Sequence, residues 1–487
     1  MIEHSDYFYL VFFVLIILAS GVISEGLAKK QILHKELARK IFHFIAVLLA
    51  AYSAYVFVDY KVLIVASSIA VVLTFIAVYK NLIPSIHHDR ELSWGIFLFP
   101  LAFFISLILL GKENREIISL SFLVLALSDS LAAITGTFLS KNFFRLTSDK
   151  KSLIGSITFF IVTIIILTVI PRELNFSFEV YLSFEFLVVL ALVLTVFEAV
   201  SSKGLDNFFV PTVSSILLLI YTKDPLIQSQ FVIGVFLALI VAVLSYKAKF
   251  LTKDGSAATF LLAGIVFGLG GWKWSLPILT FFILSSLLSK IRKSKNEEVE
   301  LHFEKTGTRD YLQVIANGGI GGLLVILDQF ADSNLIYLIY IASLAAVCAD
   351  TWATEIGTLK KRTTYNILNF KPVQQGISGG ISVYGTVGAI LGAFVIAVSG
   401  IFWIDIFYME YLLLIVITGL VGSLFDSILG ATIQSQNKCL VCNSITEKKI
   451  HCGEPTFHHN GFKWLNNDMV NFFAGLSGGL LILVLVW

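Results

Sequence analysis

Asp129-Ser-Leu-Ala-Ala-Ile-Thr-Gly136 closes one apolar run, and Asp350-Thr-Trp-Ala-Thr-Glu-Ile-Gly357 closes another much later in the chain. Each stretch reads an aspartate, a hydroxyl residue and then, after five further positions, a glycine. A second pair of patches follows: Ser152-Leu-Ile-Gly155-Ser156-Ile-Thr158 after the first stretch and Gly376-Ile-Ser-Gly379-Gly380-Ile-Ser382 after the second. Further on, an acid at the end of an apolar run, Glu198 or Asp426, precedes an Asp/Asn group, Asp206-Asn207 or Asn466-Asn467-Asp468. The order acid, glycine patch, acid, Asp/Asn group therefore occurs twice. It marks a diverged duplication with halves at 1–222 and 228–487.

Of the 487 residues, 57% are hydrophobic and only 14% charged, against roughly a quarter charged in soluble domains. Apolar runs of roughly 18 or more recur along the whole length, each able to cross a hydrocarbon core of about 30 Å as a helix. This pattern predicts an all-α polytopic membrane protein with about 16 spans, about 8 in each half. The weakest spans are those at 207–222, 256–271 and 274–289. Charge placement tests the count independently, because cytoplasmic loops collect Lys and Arg. Lys29, Lys30, Lys35, Arg39 and Lys40 fall in one loop, Lys141, Arg145, Lys150 and Lys151 in another, and Lys360, Lys361, Arg362 and Lys371 in a third. The intervening turns at 58–61 and 404–407 are short and poor in basic residues. Both termini are thus expected outside, and an even number of spans per half makes the repeats parallel. The polar motifs then lie at the cytoplasmic face, with a bacterial inner (plasma) membrane as the expected location. The first span lacks a basic leader segment and reads as a retained helix.

Asp129 and Asp350 lie in otherwise apolar helices, where an ionised carboxylate costs several kcal/mol without a partner or water. A headgroup-level acid satisfied by a neighbouring helix is the plain explanation; a bound Mg²⁺ is the functional one, since hard oxygen donors suit it and it keeps phosphates in its shell. Asp129 and Asp206 in the first half, and Asp350 and Asp468 in the second, are the expected Mg²⁺ ligands, with Asp426 a further catalytic acid. Lys151, Ser152, Gly155 and Ser156 open a helix where free amides, hydroxyls and a cation could cradle a phosphate, although a simple helix cap with a positive-inside lysine has the same sequence. Gly379 and Gly380 hold that place in the second half, with Asn207, Asn467 and Asn471 as further polar partners. Glu36, Arg39, Lys40 and His43 share adjacent parts of one helical face, either as a solvated juxtamembrane face or as support for the site; Glu198 and Glu355 are further expected supporting residues. Arg309, Gln313 and Asn317 form an i, i+4, i+8 stripe that needs hydrogen-bond partners on entering the membrane.

Cys439-Leu-Val-Cys442 and His451-Cys452, with His458 and His459 beyond, gather soft ligands in one loop. Three cysteines with His451 or His458 would suit a structural Zn²⁺; a reduced surface thiol cluster is the alternative, and a disulfide framework is not indicated. Walker A, protein-kinase and Rossmann strings are absent from the sequence, which argues against a standard ATP-binding fold. Nothing calls for a nucleic-acid partner.

On Glu36-x-x-Arg39-Lys40-x-x-His43, Trp94-Gly95 with Pro100, Asp129-Ser130 with Gly136, Lys151-Ser152-Leu153-Ile154-Gly155-Ser156, and Glu198 with Gly204-Leu205-Asp206-Asn207 and Pro211, the first half resembles the CTP-dependent polyprenol kinases, the phytol and dolichol kinase family. The second half resembles the phytyl-phosphate kinase family and its little-characterised bacterial relatives. That likeness rests on Lys253-Asp-Gly255, Arg309 with Gln313 and Asn317-Gly318, Asp350 to Gly357, Phe425-Asp426-Ser427, Gln434 and Asn467-Asp468 with Asn471. The resemblance implies CTP as donor, phytol or a similar isoprenoid alcohol as first acceptor and its monophosphate as second. A cytidylyltransferase acting on a lipid phosphate and a duplicated transporter bundle are the alternatives.

Overall fold

The apolar runs become helices along nearly the whole chain. The computed structural model describes residues 3–33, 35–80, 94–178, 182–224, 227–296, 308–331, 333–404 and 409–486, with the side chains of 3–5, 35, 36 and 223 outside that description. It divides into two units, Met1–Val232 and Ile233–Trp487, with the boundary inside the helix Ile227–Lys247. Among the described residues, twelve helices are long and apolar enough to span a membrane, and Gly95–Leu110 and Asp206–Thr222 are apolar but shorter. The polytopic helical class is as expected; the count of about 16 is not what length and hydropathy return. Large apolar side chains such as Phe8, Leu15, Leu18 and Val22 lie exposed along the first helix, as a lipid-facing surface requires.

The first unit comprises α1 (Glu3–Lys29), α2 (Lys35–Val56), α3 (Tyr60–Tyr79), α4 (Gly95–Leu110), α5 (Arg115–Val124), α6 (Ser130–Leu139), α7 (Leu153–Glu173), α8 (Phe184–Val200) and α9 (Asp206–Lys223). A π-helical turn at Leu125–Asp129 joins α5 to α6, so Lys112–Leu139 runs as one segment with Asp129 at its widened turn. Such turns recur at functional sites. After α10 (Ile227–Lys247), the second unit has α11 (Lys253–Lys295), α12 (Tyr311–Asp328), α13 (Asn334–Gly357), α14 (Val383–Ile401), α15 (Met409–Thr432) and α16 (Asn467–Val486). The spans bearing Asp129 and Asp350 are the centres of their units: in the apolar 18-residue stretch of Lys112–Leu139, 72% of the residues are buried, and in that of Asn334–Gly357 67%, against at most 50% for any other candidate span.

The central position of α13 follows from its small residues. Gly392 lies over the Cys348 carbonyl, Gly422 over Ala346, and Gly478 over the Ala342 carbonyl, so α14, α15 and α16 approach at distances only small side chains allow. At Gly271 (φ 58°, ψ −152°) α11 reverses. Leu262 and Ile278 both border Gly318 of α12, so the spans expected at 256–271 and 274–289 are the two limbs of a helical hairpin.

One register in the sequence reading is corrected. Gly136 faces the Ser152 hydroxyl and Gly155, whereas Gly357 faces Ser382 and Gly385. Ser152 caps α7 by accepting from the Gly155 N–H at 3.0 Å, and Ser382 caps α14 from the Gly385 N–H at 3.1 Å. The counterpart of Ser152-x-x-Gly155 is therefore Ser382-x-x-Gly385, not Gly376 to Gly380. The latter belongs to an inserted antiparallel sheet of β3 (Thr364–Asn366), β4 (Pro372–Val373) and β5 (Gly380–Ile381), with β3 in the middle. The first unit has only β1 (Phe143–Phe144) paired with β2 (Lys151–Ser152) there. The string 376–380 shares glycines with the first patch, but the helix cap and the close backbone contact define the equivalence.

Candidate active sites

In the first unit, α2, the π-turn, β2, α8 and α9 bring charged groups to one place. The Lys40 ammonium donates to both oxygens of Asp129, at 2.7 and 3.0 Å. Lys151 donates to Glu198 at 2.5 Å and reaches Asp206 at 3.4 Å. Carboxylate oxygens of Asp129, Glu198 and Asp206 all lie within 4.8 Å of one another. Burial alone would lower the pKa of Lys151, but Asp206 and Glu198 outweigh it and push the ammonium well above its ordinary range. Glu198 Oε2 is buried with no hydrogen-bond partner, as are the Ser130 and Ser156 hydroxyls. His43 brings Nε2 to 3.8 Å from Asp129, also without a hydrogen bond.

Lys40 and His43 are thus part of the site, not of a solvated face. Arg39 is partly buried on the same turn, and the side chain of Glu36 lies outside the described residues. Two expected phosphate groups are otherwise engaged: Lys151 turns to the acids, and the Ser152 hydroxyl takes the Gly155 amide as a cap. Asn207 donates to the Gly95 carbonyl at 3.1 Å, bracing α9 against the start of α4. Gly204 (φ 86°) backs directly onto Gly95 there, where any Cβ would collide.

In the second unit, the predicted residues converge on one cavity of about 230 Å³ whose lining includes Arg309, Asn317, Asp350, Asp426, Gly380 and Asn471. Gln313, Glu355, Gly379, Asn467 and Asp468 line it as well. Asp350 of α13 and Asp426 of α15 are both half-buried in this lining, and Asp426 Oδ2 is buried without a hydrogen-bond partner. Asp468 is buried at the start of α16, but it does not join Asp350 and Asp426 in a tight three-acid group among the described residues. Arg309 lines the same cavity, and its guanidinium lies over Phe281 and Phe282 at 5.4 and 5.6 Å. The Gln313 oxygen accepts from Asp310 N–H at 3.3 Å in a capping box, while Asn317 Oδ1 is buried and unpaired. Gly379 (φ 80°) packs on Ala431, so its lack of a side chain has a packing cause. Gly255 likewise faces the Arg309 carbonyl, which makes Lys253-Asp-Gly255 an anchor for Arg309.

The sequence reading missed Arg292, Glu447 and Gln375. Arg292 is 3% exposed and pairs with Glu355, which also accepts from Ser289 at 2.6 Å. Ser285, Ser289 and Arg292 of α11 and its C-cap residue Asn296 bond, in order, to Trp352, Glu355 and Glu355 of α13 and to its C-cap residue Thr358. That spacing was the available signal, hidden in a run of exposed lysines. Glu447 enters from the loop after α15 and accepts from Ser378 at 2.6 Å and Gln434 at 2.8 Å. Gln375 donates to the Gly357 and Lys360 carbonyls.

The same loop gathers Cys439, Cys442, His451 and Cys452, with donor atoms within 4.8 Å of one another. His451 Nδ1 is 3.5 Å from Cys442 Sγ and 3.2 Å from Cys452 Sγ. His458 instead contacts the Gly461 carbonyl at 3.0 Å.

The integral membrane protein family DUF92 matches residues 236–479, just over half of the chain. The chain belongs to that family. Protein PGR of Arabidopsis thaliana is 32% identical over 271 residues, covering 51% of this chain and 93% of that protein. An uncharacterised membrane protein of Methanocaldococcus jannaschii is 28% identical over 250 residues, covering 51% and 91%. Protein VTE6, chloroplastic, of Arabidopsis thaliana is 27% identical over 241 residues, covering 48% and 65%. No solved structure matches the chain. The DUF92 match contains Asp350, Asp426 and the Cys/His loop of the second unit.

Proposed function

We propose that this DUF92 chain phosphorylates an isoprenoid alcohol to its monophosphate in the first unit and a monophosphate to its diphosphate in the second, with CTP as donor and Mg²⁺ as metal. The observation that carries the reading is the second cavity, where Asp350 and Asp426 share one space with Arg309, Asn317 and Gly380. Phosphoryl transfer asks a protein mainly for positioning and charge stabilisation, and acids lining one cavity with a guanidinium offer both. The resemblance of both halves to prenyl kinases supports the same class. The Lys/Arg alternation favours the cytoplasmic face, where a soluble nucleotide meets a headgroup whose tail stays in lipid.

The donor sets fit a hard cation. Glu198 Oε2 and Asp426 Oδ2 are buried oxygens without partners, so Asp129, Glu198 and Asp206 would hold Mg²⁺ in the first unit, and Asp350 and Asp426 in the second. When bound, Mg²⁺ neutralises charge on the phosphates. Lys40 and Lys151 would then turn from the carboxylates to phosphate oxygens. In the first unit the alcohol oxygen bonds to the γ-phosphorus, the bond to the bridging oxygen breaks and CDP leaves. The hydroxyl proton goes to Asp129 or Asp206, the acids that Lys40 and Lys151 release. A phosphate monoester acceptor is already mostly ionised near neutral pH and needs no such base.

Purified chain in detergent, supplied with γ-labelled CTP or ATP and a panel of prenyl alcohols and monophosphates, tests the reading. Label is expected on the lipid with CDP released. Release of diphosphate, with the α-phosphate retained on the lipid, would establish a cytidylyltransferase instead.

A further inference from the structure

We propose that Cys439, Cys442, His451 and Cys452 hold a structural Zn²⁺ that staples the loop carrying Glu447 over the second cavity. Four soft donors within 4.8 Å of one another match the ligand number and type of closed zinc sites, in which zinc binds sulfur at about 2.3 Å and nitrogen at about 2.0–2.1 Å. Their backbone is arranged as two facing turns. One follows β6 (Gln436–Lys438), where the Val441 N–H donates to Cys439 Sγ at 3.4 Å. The other is the two-residue turn Cys452-Gly453 between β8 (Ile450–His451) and β9 (Glu454–Pro455).

Cys452 adopts φ 53° ahead of Gly453 at φ 80°. Asn or Asp is the favoured first residue of such a turn, so the cysteine is there for its sulfur, not for backbone preference. Cys439 is buried, and His458 is drawn away by the Gly461 carbonyl, which leaves His451 as the histidine ligand.

What the metal would do follows from the chain between the turns. Residues 443–450 include β7 (Ile445–Thr446), which pairs with β6, and then Glu447. The Glu447 carboxylate enters the cavity and is held by Ser378 and Gln434. With both ends of this segment fixed to one ion, Glu447 is held in the lining that Asp350 and Asp426 share, without any helix of its own. Glu447 is thus a positioning residue whose place depends on the staple. This inference stands apart from the kinase reading, because its test reads metal rather than turnover.

Full-length protein purified under reducing conditions is expected to contain one equivalent of zinc by elemental analysis. Stripping with a chelator and adding Co²⁺ should give the charge-transfer and d–d absorption of a tetrahedral thiolate site. Cys442→Ser and Cys452→Ser should lose the equivalent, while His458→Ala and Glu447→Gln should keep it. Proteolysis of the stripped wild-type chain should open at 439–452 and close again on adding Zn²⁺. If the wild-type chain carries no zinc and takes up Co²⁺ without a thiolate signature, the staple is refuted whatever the variants do. Retention of the full equivalent by both cysteine variants would refute it equally.

Discussion

Lys151 stands between two carboxylates, Glu198 and Asp206, with its own side chain 17% and that of Glu198 7% exposed. Removing one partner of a buried pair leaves a charge without compensation, at a cost of roughly 3–5 kcal/mol. Lys151→Met is therefore expected to lower the melting temperature of the detergent-solubilised chain and to abolish alcohol phosphorylation, with Lys151→Arg recovering part of the stability. A melting curve unchanged by Lys151→Met would show that the pair is solvated. The acids themselves were legible in the sequence, because an aspartate inside an apolar run is costly and stands out. Their partners were less so. Lys40 lies 89 residues from Asp129, and no local pattern links them. Lys151 was visible as well, but not that the fold brings it to Glu198 and Asp206.

At the scale of the element, the polar face of α11 shows why Arg292 was overlooked. Exposed Lys290, Lys293 and Lys295 surround it, and a basic run at a helix end ordinarily reads as a positive-inside anchor. Only the repeat of Ser285, Ser289, Arg292 and Asn296 betrays a buried seam. Arg292→Met alone should strand Glu355 and cost roughly 3–5 kcal/mol, whereas Arg292→Met with Glu355→Gln should cost less than the sum of the single changes. Thermal unfolding of the four proteins in one detergent measures the coupling; strict additivity would mean the seam carries no interaction. Helix caps were legible in principle, since Ser152-x-x-Gly155 and Ser382-x-x-Gly385 carry the same signal. The glycine string of 376–380 obscured it, because the inserted β3–β5 sheet lengthens that loop in the second unit alone.

On the scale of the whole molecule, the duplicated order of acids was the most informative feature of the sequence. It pointed to Asp129 and Asp350, which prove to lie on the most buried spans of their units. What it could not supply was the different dress of each site. Two lysines meet three carboxylates in the first unit, while arginines, Asp350, Asp426 and Glu447 from a loop line the second, and such groupings depend on residues brought together only by folding. The proposal that one chemistry is run on two acceptors predicts separable defects, since losing a metal-holding carboxylate removes transition-state stabilisation at one site. The direct measurement follows the lipid products of wild type, Asp129→Asn and Asp350→Asn, each shown to be folded, with prenyl alcohol or prenyl monophosphate supplied in turn. Asp129→Asn should fail on the alcohol and still convert added monophosphate, and Asp350→Asn should accumulate monophosphate. Loss of both conversions in either single variant would contradict the account.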